Sequence, residues 1–327
     1  MGSVRGVRDL RALPKAHLHV HLESTVRWDT LAEIGAANGV TVPPGRAFTG
    51  FADFFDQNDL VRACLRRPAD FHRIAVEFCE DEAAGGVRYA EVSFTAAGHG
   101  DRLGDPTMPL RAVLDGLAEG RDRFGVECRV LIDHSRRRSV DRAWRSLDLA
   151  ERFDGVVAIG LAGDEAYPGD PFVEVFAAAR DRGVHVVHHA GEACGPASIR
   201  QAIGAGRTER VGHGITILDD PDLVAEVRER RLALEVCPSS NVALGFASSL
   251  AEHPLPRLRD AGLLVTINTD IPSLIGTPLA VEYSRVRDAF GYDDAVMAEL
   301  ARNGVEASFA PEEVRRRVLA GIDAWLG

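Results

Sequence analysis

Lysine is nearly missing from this chain: Lys15 is the only one, and arginine carries all other permanent positive side-chain charge. Positive charge as a whole is in deficit, with 38 basic against 49 acidic residues and a formal net charge of −11. Nonspecific nucleic-acid binding draws most of its affinity from phosphate contacts, so a chain this acidic is a poor match to that role. The two basic triplets, Arg136-Arg137-Arg138 and Arg315-Arg316-Arg317, read as solvated helix faces. Cysteine is sparse as well: five, at positions 64, 79, 128, 194 and 237, with no CxxC pair. An odd, scattered set reads as reduced, buried thiols and not as a disulfide framework. No stretch approaches the roughly 18 consecutive apolar residues that a membrane span requires. Residues 1–17 lack the apolar core of a secretion signal. The expectation is a cytoplasmic protein whose partners include neither nucleic acid nor membrane.

What is present is an alternation of short apolar runs and longer amphipathic stretches, over a chain of 327 residues that is 46% hydrophobic. Strands are expected at 17–22, 88–94, 128–133, 156–161, 185–189, 210–212, 233–237 and 264–268. Most are rich in Val, Ile and Leu, as strands buried on both faces should be. Helical patterns fall between them, at 71–85, 171–182, 220–230 and 254–261, with proline at starts and glycine at stops. Eight strands separated by helices predict α/β architecture: one (β/α)8 TIM barrel domain over 1–327. The competing open doubly wound sheet is weakened because no GxGxxG follows the first strand. The segment 26–70 is too long for a simple connection and should add helices over one barrel mouth, with Phe51, Phe54 and Phe55 either lining an apolar pocket or serving as ordinary core. From Pro278 onward the pattern is helical to the end.

The chemistry sits at the ends of these strands. His19 and His21 alternate through one face of the first strand, where two imidazoles can reach one metal ion. His17 shares that face, so spacing alone leaves the choice of pair open. His188-His189-Ala190-Gly191-Glu192 ends the fifth strand with imidazole and carboxylate. His213 stands between two glycines at the sixth, where the backbone can turn sharply. Asp270 follows the eighth. Histidines and acids at the ends of four strands match the way barrel enzymes assemble their sites.

The motifs PKAHLHVHLE, HHAGE, ERVGHGI, LEVCPSSN and NTD, in this order from about Leu13 to Tyr283, resemble the adenosine deaminase family of the amidohydrolase superfamily. The resemblance implies a zinc-bearing barrel that hydrolyses an exocyclic amine from a heterocycle, using a small-molecule amine and water. It implies His19, His21, His189 and Asp270 as metal ligands, leaving His17 outside the set. Glu192 matches the proton-donating glutamate, which delivers its proton to the ring nitrogen beside the attacked carbon. His213 matches the histidine beside the activated water. With Asp270 it would orient that water and take its proton. Gly163, in LAGDE, matches a glycine whose amide meets a ring nitrogen. Glu23 falls where nucleoside deaminases carry an aspartate that reaches the ribose and base deaminases often carry glutamate. Zinc lowers the pKa of water from about 15.7 toward about 7. Three imidazoles and a carboxylate also suit iron or cobalt. With Lys15 ahead of the first strand, a second metal bridged by a carbamylated lysine on a later strand is unavailable, so one ion is expected.

The sequence departs from that family pattern where the substrate binds. A second aspartate, which bonds the purine N7, is replaced by Ile271; Ser93, Gly160 and Ser24 replace an arginine, an aspartate and a glycine. Leaving a buried ring nitrogen without a partner costs ~1–3 kcal/mol. The expected substrate is therefore a purine-like amine other than adenosine, such as a 7-deazapurine or a non-purine ring, unless another residue supplies the bond. The alternatives are an amidohydrolase acting on a different C–N bond and a catalytically silent ligand-binding barrel. A homodimer is the default expectation for assembly.

Overall fold

The computed structural model describes residues 7–44 and 51–327, the side chains of 51–55 aside. Phe51, Phe54 and Phe55 therefore lie outside the described side chains. Eight parallel strands run in the order of the sequence: β1 Lys15–His17, β2 Val87–Phe94, β3 Glu127–Ser135, β4 Val156–Ala162, β5 His185–Ala190, β6 Arg210–His213, β7 Ala233–Val236 and β8 Leu264–Ile267. Each pairs with the next, and helices follow the strands, giving a (β/α)8 barrel.

The first strand departs from expectation. It covers Lys15–His17, and residues 18–21 continue as extended chain. The Asn268 side-chain oxygen accepts from the Leu18 and His19 amides, at 2.8 and 3.1 Å, in place of a backbone ladder. Beyond that point the barrel seam is closed by single bridges. The Asp270 amide donates to the His19 carbonyl and the His21 amide donates to the Asp270 carbonyl, each at 3.0 Å. On the other side the Ser93 amide donates to the Val20 carbonyl at 2.8 Å. Residues 18–21 thus bridge β2 to the chain just after β8.

The outer helices follow from their apolar faces. Pro68–Ala84 buries Phe71, Ile74, Ala75 and Phe78, a helical stripe, and Asp70 accepts from the Arg66 and Arg67 amides at its start. Pro221–Glu229 buries Leu223 and Val227, and Asp220 accepts from the Leu223 amide. The segment 26–70 contributes Trp28–Ala37 and Phe51–Cys64. After Pro278 come Leu279–Phe290, Asp294–Ala307 and Glu312–Leu326. Arg315, Arg316 and Arg317 lie on the last of these, as expected. Arg136, Arg137 and Arg138 do not form a helix face: they make a turn after β3, and Arg136 is buried. Four cysteines are buried, Cys194 is half-buried, and all five are free. No helix among the described residues is long and apolar enough to cross a membrane.

The base of the barrel is plugged by the turn after Asp294–Ala307, where Phe309 stacks on His185 with ring centroids 3.7 Å apart. Lys15 is fully buried there and donates to the Leu10 and Leu13 carbonyls, both at 2.6 Å. Burial lowers its pKa from 10.5 to about 7, against a partial upward pull from Glu82. The unfolded chain then binds the extra proton between those two values, so this residue makes stability rise with pH across that window. Chemical denaturation of wild type and Lys15→Met from pH 7 upward should show the wild-type advantage growing with pH.

Candidate active site

Three imidazoles and one carboxylate meet at the C-terminal mouth of the barrel. One donor atom from each of His19, His21, His189 and Asp270 lies within 4.8 Å of the others. Each ring is oriented through Nδ1: His19 on Glu235 Oε2 at 3.0 Å, His21 on Asp133 Oδ2 at 3.1 Å, and His189 on the Leu161 carbonyl at 3.0 Å. Against the burial penalty, Arg210 holds Glu235 and His21 holds Asp133 below the ordinary carboxylate range. These partners only accept, so each Nδ1 carries a hydrogen and Nε2 is the atom left to meet an ion; against the burial penalty, Asp133 and Asp270 hold the His21 pKa well above its ordinary value, so a proton and an ion compete for that nitrogen.

The Nε2 atoms converge. His21 Nε2 is 3.1 Å from His189 Nε2 and 3.3 Å from Asp270 Oδ1. His19 Nε2 is 3.7 Å from the same oxygen and, though buried, has no hydrogen-bond partner among the described residues. Ligands about 2.0–2.1 Å from a tetrahedral ion stand about 3.3–3.4 Å apart, close to these separations. The donor set fits one divalent cation.

The backbone is shaped for this convergence. Asp270 and His213 hold left-handed conformations, with φ of 61° and 66°, unusual for residues with a side chain. Such strain costs of order 1–3 kcal/mol per residue and is retained where geometry matters. It turns both side chains into the mouth at their strand ends. Gly212, beside His213, lies under the His19 ring, where a Cβ would stand 2.7 Å from Cε1.

Behind the metal ligands runs a buried ionic chain. Arg210 Nε donates to Glu235 Oε1 at 2.5 Å, and its Nη2 donates to Glu91 Oε2. Glu91 also accepts from Tyr89 at 3.0 Å and from the Phe309 amide at 2.6 Å. The guanidinium lies 3.9 Å from the Phe309 ring centre. The barrel floor is thereby linked to His19 through a continuous set of charged contacts.

Beside the metal ligands, Glu192, His213 and Asp270 form a second converging group. Asn241 Nδ2 donates to Glu192 Oε1 at 2.9 Å and to His213 Nδ1 at 3.2 Å. Its amide orientation follows from His253, whose Nδ1 accepts from the Leu255 amide, leaving Nε2–H to donate to Asn241 Oδ1 at 3.2 Å. His213 Nδ1 is therefore an acceptor and its buried Nε2 carries the hydrogen. Burial, reinforced by His19, holds the His213 pKa down at about 3. Burial, with Asp270 and Glu165 adding to it, pushes the Glu192 carboxyl well above its ordinary range. Glu165 accepts from the Gly191 and Glu192 amides, both at 2.9 Å, and fixes the loop that carries Glu192.

These groups open into a cavity of about 370 Å³ whose wall includes Glu23, Ser24, Gly163, Glu192 and His213. Residues 14–325 match the adenosine deaminase family model. The chain belongs to the adenosine deaminase family. It is therefore a hydrolytic deaminase built on a metal-binding barrel. An adenine deaminase of Streptomyces coelicolor is 36% identical, over 97% of this chain and 96% of the relative. Among solved structures, an adenine deaminase from Arthrobacter aurescens superposes with a TM-score of 0.91 at 29% identity, covering 96% of this chain and 99% of that one. A Zn-bound amidohydrolase from Burkholderia ambifaria gives 0.89 at 27% identity, over 97% and 92%. Arabidopsis ADAL complexed with GMP gives 0.87 at 26% identity, over 96% and 98%.

The deaminase site also contains what sequence reading placed elsewhere or left out. His17 lies apart from the ligand set, bonded to Glu82 and to Thr269, each at 3.0 Å. Glu23 lines the cavity with Oε1 accepting from His99 Nε2 and the Thr95 amide, both at 3.1 Å. Ile271 is fully buried and absent from the cavity wall. Gly160 accepts no side chain, since a Cβ there would lie 1.7 Å from the Val187 carbonyl oxygen. Asp133, Glu235, Ser240 and Asn241 were not assigned roles, although acids at strand ends and the LEVCPSSN motif carried the signal. Ser240 donates to Asp270 Oδ2 at 2.6 Å.

Two consequences are measurable. Glu235→Gln removes the charge that orients His19 and should weaken divalent-ion affinity about 10- to 100-fold in chelator competition. Arg210→Met strands Glu91 and Glu235 as buried charges and should lower unfolding free energy by about 3–5 kcal/mol in urea titration.

Proposed function

We propose that this protein is a zinc-dependent deaminase that hydrolyses the exocyclic amine of a purine-like heterocycle other than adenosine, in a cytoplasmic setting. The observation that carries the chemistry is the pairing of a converging donor set with a neighbouring carboxyl whose pKa burial raises well above its ordinary range. A zinc ion held by His19, His21, His189 and Asp270 would supply the Lewis acidity that makes water a nucleophile near neutral pH.

The chain's own residues divide the remaining work. His213 Nε2–H donates a hydrogen bond to the oxygen of the attacking water and stays neutral, so it orients that water without taking its proton. Because His213 offers that water a donor, Asp270 is the group left to accept the water proton. Glu192 gives its proton to the ring nitrogen next to the attacked carbon, which keeps negative charge from building up on the ring. Asn241 holds Glu192 and His213 in register. Gly163 lines the wall where its amide can meet a ring nitrogen. The shared role read from sequence for His213 and Asp270 thus separates into a donor and an acceptor.

Directly after Asp270, where the family pattern has a second aspartate, stands Ile271, apolar, fully buried and off the cavity wall, so position 271 offers no side-chain partner for a purine N7. Adenosine should turn over about 5- to 150-fold less efficiently than the best substrate, the scale of ~1–3 kcal/mol for one unmet buried polar group. The test is an ammonia-release screen of zinc-loaded protein over adenine, adenosine, thioether and futalosine-type derivatives, 7-deazaadenosines, and pterin or triazine amines. Product mass should shift by about one unit, as replacement of an amine by oxygen requires.

Glu192→Gln should lower kcat by about 100- to 10,000-fold while bound metal, read by elemental analysis, stays stoichiometric. Because the reaction uses the Glu192 proton, activity should fall on the alkaline side of the pH–rate profile, as pH rises through its raised pKa.

A further inference from the structure

We propose that the cavity mouth binds an anionic group, phosphate or carboxylate, appended to the amine substrate, through Arg137 and Arg138 with Arg62 across the opening. The inference rests on the deaminase reading above and adds the class of substituent the substrate carries.

Arg137 and Arg138 lie on the turn after β3, and Arg62 lies on the helix Phe51–Cys64; all three line the cavity. The turn is fixed from inside. Arg136 is buried and donates to the His189 carbonyl at 2.8 Å and the Tyr167 carbonyl at 3.3 Å, while its amide donates to the Ala162 carbonyl at 3.0 Å. The two exposed arginines are therefore held at a set position relative to a metal ligand. Arg137 is steadied by stacking and not by an acid: its guanidinium carbon lies 5.4 Å from the centre of the Tyr167 ring, and Tyr167 is 43% exposed. Stacking on an aromatic face leaves the in-plane N–H donors free for a planar or tetrahedral anion.

Charge pairing elsewhere in the molecule sets the contrast. Arg27 pairs with Asp81, Arg142 with Asp101 and Arg200 with Asp220, all within 3.0 Å. Among the described residues no carboxylate stands within 4.0 Å of the Arg62, Arg137 or Arg138 guanidinium, although Asp59 and Asp164 line the same cavity. The deeper carboxylates already have partners: Glu23 in His99, Asp133 in His21, and Asp270 in Ser240. Arg62 adds to the pull that lowers Asp133, but none of the three guanidiniums makes a carboxylate ion pair within 4.0 Å among the described residues, so their N–H donors are left for an anion in the cavity. A cavity of about 370 Å³ also exceeds what a bare ring needs and falls in the range that encloses larger ligands.

The experiment reads binding, not turnover, so its outcome is separable from the failure of the deaminase reading. Calorimetry on the zinc-loaded protein compares inosine, inosine 5′-monophosphate and an inosine 5′-carboxylate, in wild type, Arg137→Ala/Arg138→Ala and the surface control Arg316→Ala. At least one anionic ligand should bind roughly tenfold or more tightly than inosine, the scale of one hydrogen bond to a charged group. That advantage should shrink about tenfold in the double variant, persist in Arg316→Ala, and weaken as salt is raised. Whichever anionic ligand shows the larger advantage identifies phosphate or carboxylate as the preferred group. Equal affinity for inosine and both anions overturns the proposal. So does an advantage that survives in the double variant or falls equally in Arg316→Ala, and so does failure of all three ligands to bind.

Discussion

Two imidazole nitrogens, Nε2 of His21 and Nε2 of His189, face each other 3.1 Å apart with their ring protons committed to other partners. Two such nitrogens are brought together favourably only by a positive charge between them, a proton or a metal ion. The carboxylate of Asp270, bridged through its backbone to the chain that carries His19 and His21, completes the pocket. Much of the molecule is organised to hold this contact. The chain between β1 and the mouth gives up regular pairing, takes its hydrogen bonds from Asn268, and so delivers His19 and His21 to it. The left-handed backbone at Asp270 brings the fourth ligand round.

Electrostatics extends the same arrangement downward and sideways. Downward, Glu235, Arg210 and Glu91 form a buried alternation of charge from His19 to the floor, where Phe309 closes the barrel. Each member is costly alone and tolerable only with its neighbours. Sideways, Asn241 reads two protonation states at once, one amide hydrogen on Glu192 and the other on His213. Two titratable groups lie side by side and burial drives their pKa values apart, the carboxyl of Glu192 upward and the imidazole of His213 downward. That separation suits a reaction in which one group gives a proton while its neighbour steadies an oxygen.

Substrate choice is a different problem from water activation, and the two are handled by different parts of the wall. The chemistry lies on strand ends, where rigid elements fix distances. The outer wall of the cavity draws on the helix Phe51–Cys64, through Arg62, and on the turn after β3, through Arg137 and Arg138.

Read along the chain alone, the barrel, seven of its eight strands to within a few residues, the added helices and the gathering of histidines and acids at strand ends were all legible. Those features rest on local signals: apolar runs of strand length, glycine and proline stops, and histidines and acids at strand ends. Family resemblance separated His19 and His21 from His17, which alternation alone left open. Only the tertiary structure decided the rest. The extent of β1 depended on Asn268, about 250 residues away. The burial of Arg136, predicted to be solvated, depended on carbonyls of β5 and of the loop after β4. The tautomer of His213 depended on Asn241 and His253 together. Each is set by partners distant in the chain, and neither periodicity nor spacing carries that information, because hydrogen-bond partners are chosen by proximity in space and not by order along the backbone.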